Sequence, residues 1–425
     1  KSLQDEETLL LNLTAEESTF IRFNNSAIRQ AGHVTQSTLS LQLIQNQRHT
    51  CASTELTGDM DRDLASTQEL VDHLREQIQF LAIDPYLHFA KEIVNSEKIV
   101  TGKIPTSDEI VNTILQQTHH MDMVGIFASG RQFRGFANSI GQRNWFSTEN
   151  FNFDWSVYNE ASKAVKMNYA GTHWENTKFS DKIQQCRSAM DNLKNDEITL
   201  QPGKYRVYLA PSALVEIVDM LCWGGFDLKS HKTAQTPLIK MVTDKQRLHE
   251  KVSISENQAS GIGPNFTTHG FIKPKQVNLI VEGEYKDCLV NARSAKEFQC
   301  DVNAGNEGPN CLDFGAGSIQ ESEILKLLDT GIYINNLWYC NYSDRNNCKI
   351  TGMTRYACYW VENGKITAPI NVMRFDETLY DMLGHNLLGL TTQREFISDT
   401  SSYDFRSISS SLIPGALIDN FTLTL

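Results

Sequence analysis

Residues 36–44, Gln-Ser-Thr-Leu-Ser-Leu-Gln-Leu-Ile, set Leu39, Leu41 and Leu43 on one side of an extended chain with polar residues between them. That period of two cannot serve a helix; it suits a strand with one buried and one wetted face, the habit of antiparallel sheet. Residues 18–30 read as a second strand beside it. The period then changes: Leu64, Val71, Leu74, Ile78 and Leu81 recur at helical spacing over 64–81. A helix lying on the apolar side of a sheet is the expected outcome.

The same two periods recur along the chain. A helix is expected at 107–120, opened by a Ser cap with Glu109 in its first turn. Strands follow at 124–130 and 134–141, separated by a polar break, then at 144–158 and 161–169, and a helix at 179–193. The polar connection 196–203 ends in the turn pair Pro202-Gly203, where the main domain boundary is placed. Beyond it come a strand at 205–210, Pro211 at a helix first turn, and a helix at 212–222 stopped by Gly224-Gly225. Strands are expected at 277–282, 331–342 and 356–361, with Asn363-Gly364 as a hairpin turn. The reading is an α+β fold of mixed, mostly antiparallel sheets flanked by helices. It has an N-terminal domain over 1–203, in sub-segments of about 1–120 and 121–203, and a C-terminal domain over 204–425. A length of 425 residues gives each its own core.

Composition narrows the function. With 39 basic and 51 acidic residues the net charge is −12, and no basic cluster offers a path for a nucleic-acid backbone or an anionic membrane. Apolar runs are too short to span a bilayer, and residues 1–13 lack the apolar core of a secretory signal, so a cytoplasmic protein is expected. The nine cysteines, Cys222 and Cys288 among them, form no CxxC pair, which favours reduced thiols. Cys340 and Cys348 flank a polar loop and would bridge it only if oxidised.

No HExxH, GxSxG, GxxxxGK[ST] or helix-opening GxGxxG occurs. His119-His120 ends a helix, where an imidazole complements the carbonyl end of the dipole. The Gly-rich loop 303–317 has no following helix to aim N–H groups at a phosphate. Glu216 and Asp219, spaced i, i+3, read as a hydrated helix face. Cys222 lies at the wrong helix terminus for dipole activation. The aromatics Trp338, Tyr339, Tyr342, Tyr359 and Trp360 read as sheet packing, with a peptide groove as the alternative.

Gly331-Ile-Tyr-Ile-Asn-Asn-Leu-Trp-Tyr339, Thr351-Gly-Met-Thr-Arg355, Val361-Glu-Asn-Gly-Lys365 and Asn371-Val-Met-Arg-Phe375 together resemble the C-terminal signature of the TldD/PmbA family. Its members were once labelled modulators of DNA gyrase and are now regarded as zinc-dependent peptidases and their partner subunits. Arg22-Phe-Asn24 with Ile28-Arg-Gln30, and Gly125-Ile-Phe-Ala-Ser-Gly130 with Arg134-Gly-Phe-Ala-Asn138, are similar to its earlier segments. In the catalytic TldD branch an HExxxH helix after a strand and a Pro supplies two histidines and a glutamate base, and a later cysteine completes the zinc site.

Counting without gaps from Pro211, the histidine places fall on Asp219 and Gly224 and the glutamate place on Met220. Matching Glu216 instead puts Val215 and Met220 at the histidine places. No histidine lies between His173 and His231 and no cysteine follows Cys358, so the chain resembles the PmbA/TldE branch or an inactivated homologue. The resemblance implies a dimer enclosing a cavity, either a homodimer or a pair with a TldD-like subunit, that takes up unfolded or extended peptide. No metal, cofactor or catalytic residue is expected on this chain. The alternative is a homodimeric hydrolase with a different active site. Asn335, Asn336, Trp338, Tyr339, Thr354 and Arg355 are the candidate peptide-binding residues, the opposing reading being a core Trp338 and an Arg355 engaged in an internal salt bridge.

Overall fold

The computed structural model describes all residues except Lys1, Ser2, Asp5 and Ser162. Leu41 and Leu43 are sealed against Val71, Leu74 and Ile78 of the first helix, the sheet-under-helix arrangement that the leucine alternation predicts. They lie on β2 (Ala27–Gln45), between β1 (Thr8–Asn24) and β3 (Arg48–Glu55), and α1 (Met60–Ile78) covers them. The helix is capped by Asp59, whose carboxylate accepts from the Asp61 and Arg62 N–H groups. Leu64 and Leu81 stay exposed, because the buried stripe is narrower than the sequence pattern suggests.

The sheet continues with β4 (Ser96–Val100), β5 (Asp122–Asn138), β6 (Arg143–Tyr158) and β7 (Ala164–Gly171) in the order β3-β2-β1-β5-β6-β4, with β7 paired to β6. Three local expectations are corrected. The strand expected at 18–30 is two strands, turned at Asn25-Ser26 (φ 50° for both), the geometry of a tight hairpin. The cap of α2 (Ser107–Thr118) is Thr106, in a reciprocal capping box with Glu109.

The polar break expected near residue 131 is absent, because β5 runs through it. Gly130 (φ 143°) pairs with Asn150, and there the buried positions of β6 change phase, from 144, 146, 148 and 150 to 151, 153, 155 and 157. A Cβ at Gly130 would stand 2.0 Å from the Glu17 carbonyl oxygen, so only glycine lets the strands approach there. Ser162, inside the strand expected at 161–169, lies outside the described residues.

The second sheet occupies the rest of the chain. It contains β8 (Gly203–Leu209), β9 (Ile254–Asn257), β10 (Gln276–Val281), β11 (Glu284–Tyr285), β12 (Cys311–Phe314), β13 (Gly331–Asp344), β14 (Lys349–Glu362), β15 (Lys365–Pro369), β16 (Arg374–Thr378), β17 (Leu387–Ser398) and β18 (Ser410–Leu423). Most pairings are antiparallel, while β8 with β13 and β12 with β18 run parallel. Asn363-Gly364 forms the expected hairpin turn between β14 and β15 (φ 52° and 73°).

The two sheets share a core. Phe127, Phe151, Phe153, Trp155 and Trp174 pack with α2, with α3 (Asn176–Asn192) and with Ala357 and Tyr359 of β14. The Tyr359 hydroxyl donates to the Ala189 carbonyl at 2.6 Å. A second tie is polar: Arg406, on the link between β17 and β18, reaches into the first sheet. Its Nη2 donates to Asn150 Oδ1 (2.5 Å) and its backbone N–H to Glu16 Oε2 (3.3 Å), while Gln132 Nε2 donates to the Arg406 carbonyl (2.6 Å). All four side chains are buried. That desolvation lowers the Arg406 guanidinium to about 10, against the opposing pull of Glu16.

Candidate functional site: a groove at the seam of the two sheets

Helix α4 (Pro211–Cys222) follows β8 directly, with Pro211 fixing its first turn. Ala213, Leu214, Ile217, Val218 and Leu221 face the second sheet's core. The intervening positions Ser212, Val215, Glu216, Asp219 and Cys222 form the opposite stripe and line a cleft of about 440 Å³. Asp154 of β6, Lys166 and Asn168 of β7, Pro309, Leu312 of β12, Asn336 of β13, and residues 397–400 and 409–411 of β17, β18 and their link complete its walls.

This cleft is the middle of a longer groove. Asn168 and Ser212 also border a compartment of about 90 Å³ on one side. Asp154, Lys166 and Thr400 are shared with a compartment of about 300 Å³ lined also by Arg22, Tyr158, Tyr356 and Arg406. Tyr158 and Tyr356 in turn border one of about 210 Å³ that holds Lys163, Glu197 and Arg355.

The central cleft is acidic, with Asp154, Glu216, Asp219 and Asp399 against Lys166. Lys166 pairs with Asp154 at 3.2 Å. Asp219 touches solvent, yet its depth in the cleft pushes its carboxyl up to about 7, and the Glu216 and Asp399 carboxylates add to that burial effect. Glu216 is also raised by burial, with Lys166 opposing. Both residues are thus exposed, as the hydrated-face reading has it, but on a cleft wall instead of the outer surface. Burial, then Asp219, holds the Cys222 thiol well above its ordinary range, so it is not a thiolate.

The candidate peptide-binding residues divide. Asn335 Nδ2 donates to the Lys166 carbonyl (3.3 Å) and to Asn336 Oδ1 (2.8 Å), and Asn336 lines the cleft. Arg355 reaches the 210 Å³ compartment and stacks over Trp338 (4.4 Å) and Tyr356 (5.2 Å). Trp338 is 47% exposed and Tyr339 74% exposed, so neither is core. No carboxylate pairs with Arg355 among the described residues, and the internal salt bridge weighed for it is replaced by ring stacking. Thr354 is enclosed, its Oγ1 accepting from the Met373 N–H at 2.9 Å.

The degenerate metal positions do not converge. Asp219 faces the cleft. Met220 is buried, its carbonyl accepting from the Tyr342 hydroxyl (2.6 Å), and Gly224 (φ 83°) lies under Arg345, whose Nη2 would stand 2.2 Å from a Cβ there. The donors that α4 does present are two carboxyls that favour protonation and a neutral thiol, a poor set for zinc. Among the described residues no group of three His, Cys, Asp or Glu is arranged to hold a metal ion. The residues present do not fit the zinc that the catalytic branch carries.

Sequence reasoning missed Asp154, Lys166, Asp399 and Arg406. Only the last gives a local signal, as the lone base in the polar stretch between the closing strands.

Fold and groove define a two-sheet α+β protein with a groove of mixed polar and apolar lining along the seam and one helix as part of its wall. The model of the PmbA/TldA metallopeptidase C-terminal domain matches residues 202–425, just over half of the chain, which therefore belongs to the PmbA/TldD family. No curated protein matches it. Among solved structures it is similar to TldE from Thermococcus kodakarensis, with a TM-score of 0.77 and 13% identity over 98% of this chain and 97% of that one. It is also similar to two proteins described as modulators of DNA gyrase. The one from Thermotoga maritima gives a TM-score of 0.75 and 12% identity over 98% and 96% of the two chains. The one from Bacteroides thetaiotaomicron gives 0.76 and 13% over 98% and 94%. At this identity the likenesses establish the fold. No helix among the described residues is long and apolar enough to cross a membrane.

Proposed function

We propose that the chain is a TldE/PmbA-type subunit that holds an extended peptide in its groove and pairs with a zinc-bearing TldD-type subunit, which performs the hydrolysis. The observation that carries this is the cleft face of α4, where Ser212, Glu216, Asp219 and Cys222 stand on the helix that in the catalytic branch supplies imidazoles. The groove supports the peptide part: it runs between strands, mixes apolar surface with charged side chains in each compartment, and has exposed aromatic surface at Trp338 and Tyr339 near Arg355. We assign it to the cytoplasm, in keeping with nine free cysteines.

The test is reconstitution. The purified chain, a TldD-type subunit, and their mixture are each given an unfolded polypeptide, and assembly is followed by light scattering. Cleavage that rises in the mixture, together with a hetero-oligomer, is the expected result. Cleavage by this chain alone would favour a homodimeric hydrolase built on the Glu216 and Asp219 carboxyls, whose shared cleft and raised Asp219 suit acid–base chemistry near neutrality.

A further inference from the structure

The 300 Å³ compartment of the groove holds more positive charge than its walls balance. Its floor is the first sheet, where Phe20 pairs with Ala128 and Arg22 with Ile126, beside Asn152 and Asp154 of β6. Lys166 of β7 and Arg406 of the β17–β18 link border it. Three of its charged side chains are therefore cations, Arg22, Lys166 and Arg406, and Asp154 is a carboxylate already paired with Lys166 at 3.2 Å. Two guanidinium groups are left over. Arg22 is exposed and joins no ion pair among the described residues. Arg406 is 3% exposed, and its guanidinium donates to neutral oxygens: Ser18 Oγ (3.5 Å), the Asn150 carbonyl (3.3 Å) and side chain, and Asn152 Oδ1 (3.4 Å). Glu16 attracts Arg406 through space, but the same carboxylate also faces the desolvated Arg134. A buried charge is costly unless it is balanced, so this stretch of the groove is short of a negative group, in a chain whose net charge is −12.

We propose that this compartment is an anion subsite that seats the carboxylate side chain of a Glu or Asp residue in the bound polypeptide. This rests on the peptide reading above and adds to it a substrate class, chains that carry an acidic residue. Arg22 has no partner to give up and presents its planar N–H fork to the carboxylate. Arg406, held on Asn152 of the floor and shielded from water, adds its charge at close range without contact. Phe20 and Ile126 offer apolar surface to the methylenes of a glutamate. The neighbouring cleft, with Glu216, Asp219 and Asp399, repels the same group, which restricts an acidic residue to one side of the shared wall.

The experiment is calorimetric titration of the chain at pH 7.5 and low salt with end-blocked Ala/Phe heptapeptides that differ only at the central residue, Glu, Gln or Lys. Blocking both ends keeps terminal charges out of the comparison. The Glu peptide is expected to bind about tenfold more tightly than the Gln peptide, the worth of one charge-assisted contact, and the Lys peptide more weakly than either. The preference should shrink at high salt. Arg22→Gln should bring the Glu peptide down to the affinity of the Gln peptide, whereas Arg355→Gln in the next compartment should keep the preference, with folding checked by circular dichroism. Equal affinity of the Glu and Gln peptides for the unmodified chain overturns the subsite and leaves the peptide groove standing. Absence of binding by every peptide removes the groove reading as well, and a preference that survives Arg22→Gln overturns the placement. Free succinate should bind far more weakly than the Glu peptide; succinate binding as tightly would assign the compartment to a small carboxylate and overturn its link to polypeptide. The comparison on the unmodified chain decides the matter even where a variant fails to fold.

Discussion

Replacing Asp219 with asparagine should make the protein more stable at alkaline pH, the opposite of what loss of a paired carboxylate does. The side chain sits with Glu216 and Asp399 around one cleft, and its carboxyl is pushed from 3.8 to about 7. A folded-state value above the unfolded one means that the native protein keeps a proton the unfolded chain has already released. The resulting stabilisation is fully present below about pH 4 and is lost as pH rises through about 7. At pH 8 the native state carries a carboxylate desolvated by the cleft and further crowded by its neighbours, a penalty that asparagine does not have. A shift of this size would correspond to about 4 kcal/mol at full strength. Asp219 is solvent-exposed, so screening reduces the expected gain to about 1–2 kcal/mol. Urea unfolding of both proteins at pH 4 and pH 8 is the assay, and the difference should be near zero at the lower pH and shrink at high salt. An asparagine variant no more stable at pH 8, or one with the same gain at both pH values, would refute the burial-and-crowding argument.

Other perturbations test the frame around the groove. Arg406→Ala removes the buried guanidinium that donates to Asn150 Oδ1 and offsets the Glu16 charge, while the backbone N–H bond to Glu16 stays, and should destabilise by about 2–3 kcal/mol in denaturant, with protease cutting the β17–β18 link first. Tyr359→Phe removes the 2.6 Å bond from β14 to the Ala189 carbonyl of α3, so a loss of about 1–2 kcal/mol is expected by chemical denaturation. Asp59→Ala uncaps α1 and should lower stability by about 1 kcal/mol in the same assay.

The fold was legible wherever burial follows a local period. Leu39, Leu41 and Leu43 foretell both the strand and its helix cover, and Asn363-Gly364 foretells its turn, because one face of a strand and two residues of a turn are local facts. The turn at Asn25-Ser26 was hidden because Ser26 is an uncommon choice at positive φ, and the run from 18 to 30 keeps strand-like residues on both sides of it. The continuity of β5 through Gly130 was hidden for a different reason: its phase change is set by the approach of β1, more than a hundred residues earlier in sequence. The site was legible only in part. Glu216 and Asp219 are neighbours on one helix and could be paired from spacing, whereas Asp154, Lys166 and Asp399 reach them across three other elements through tertiary packing. Trp338, an unremarkable strand aromatic in sequence, is left exposed beside the β-bulge at Tyr339, whose φ of 57° no alternation rule anticipates.

The proposal's central claim, that the cleft face of α4 presents carboxyls and a thiol that do not hold the catalytic branch's metal, is tested most directly by metal analysis. The purified chain is equilibrated with zinc at neutral pH, passed through gel filtration, and assayed by mass spectrometry beside the Glu216→Gln, Asp219→Asn double variant. The account predicts well under one zinc per chain in both proteins, because two reluctant carboxyls and a neutral Cys222 thiol compete poorly for the ion. Stoichiometric zinc in the unmodified chain that disappears in the double variant would contradict it.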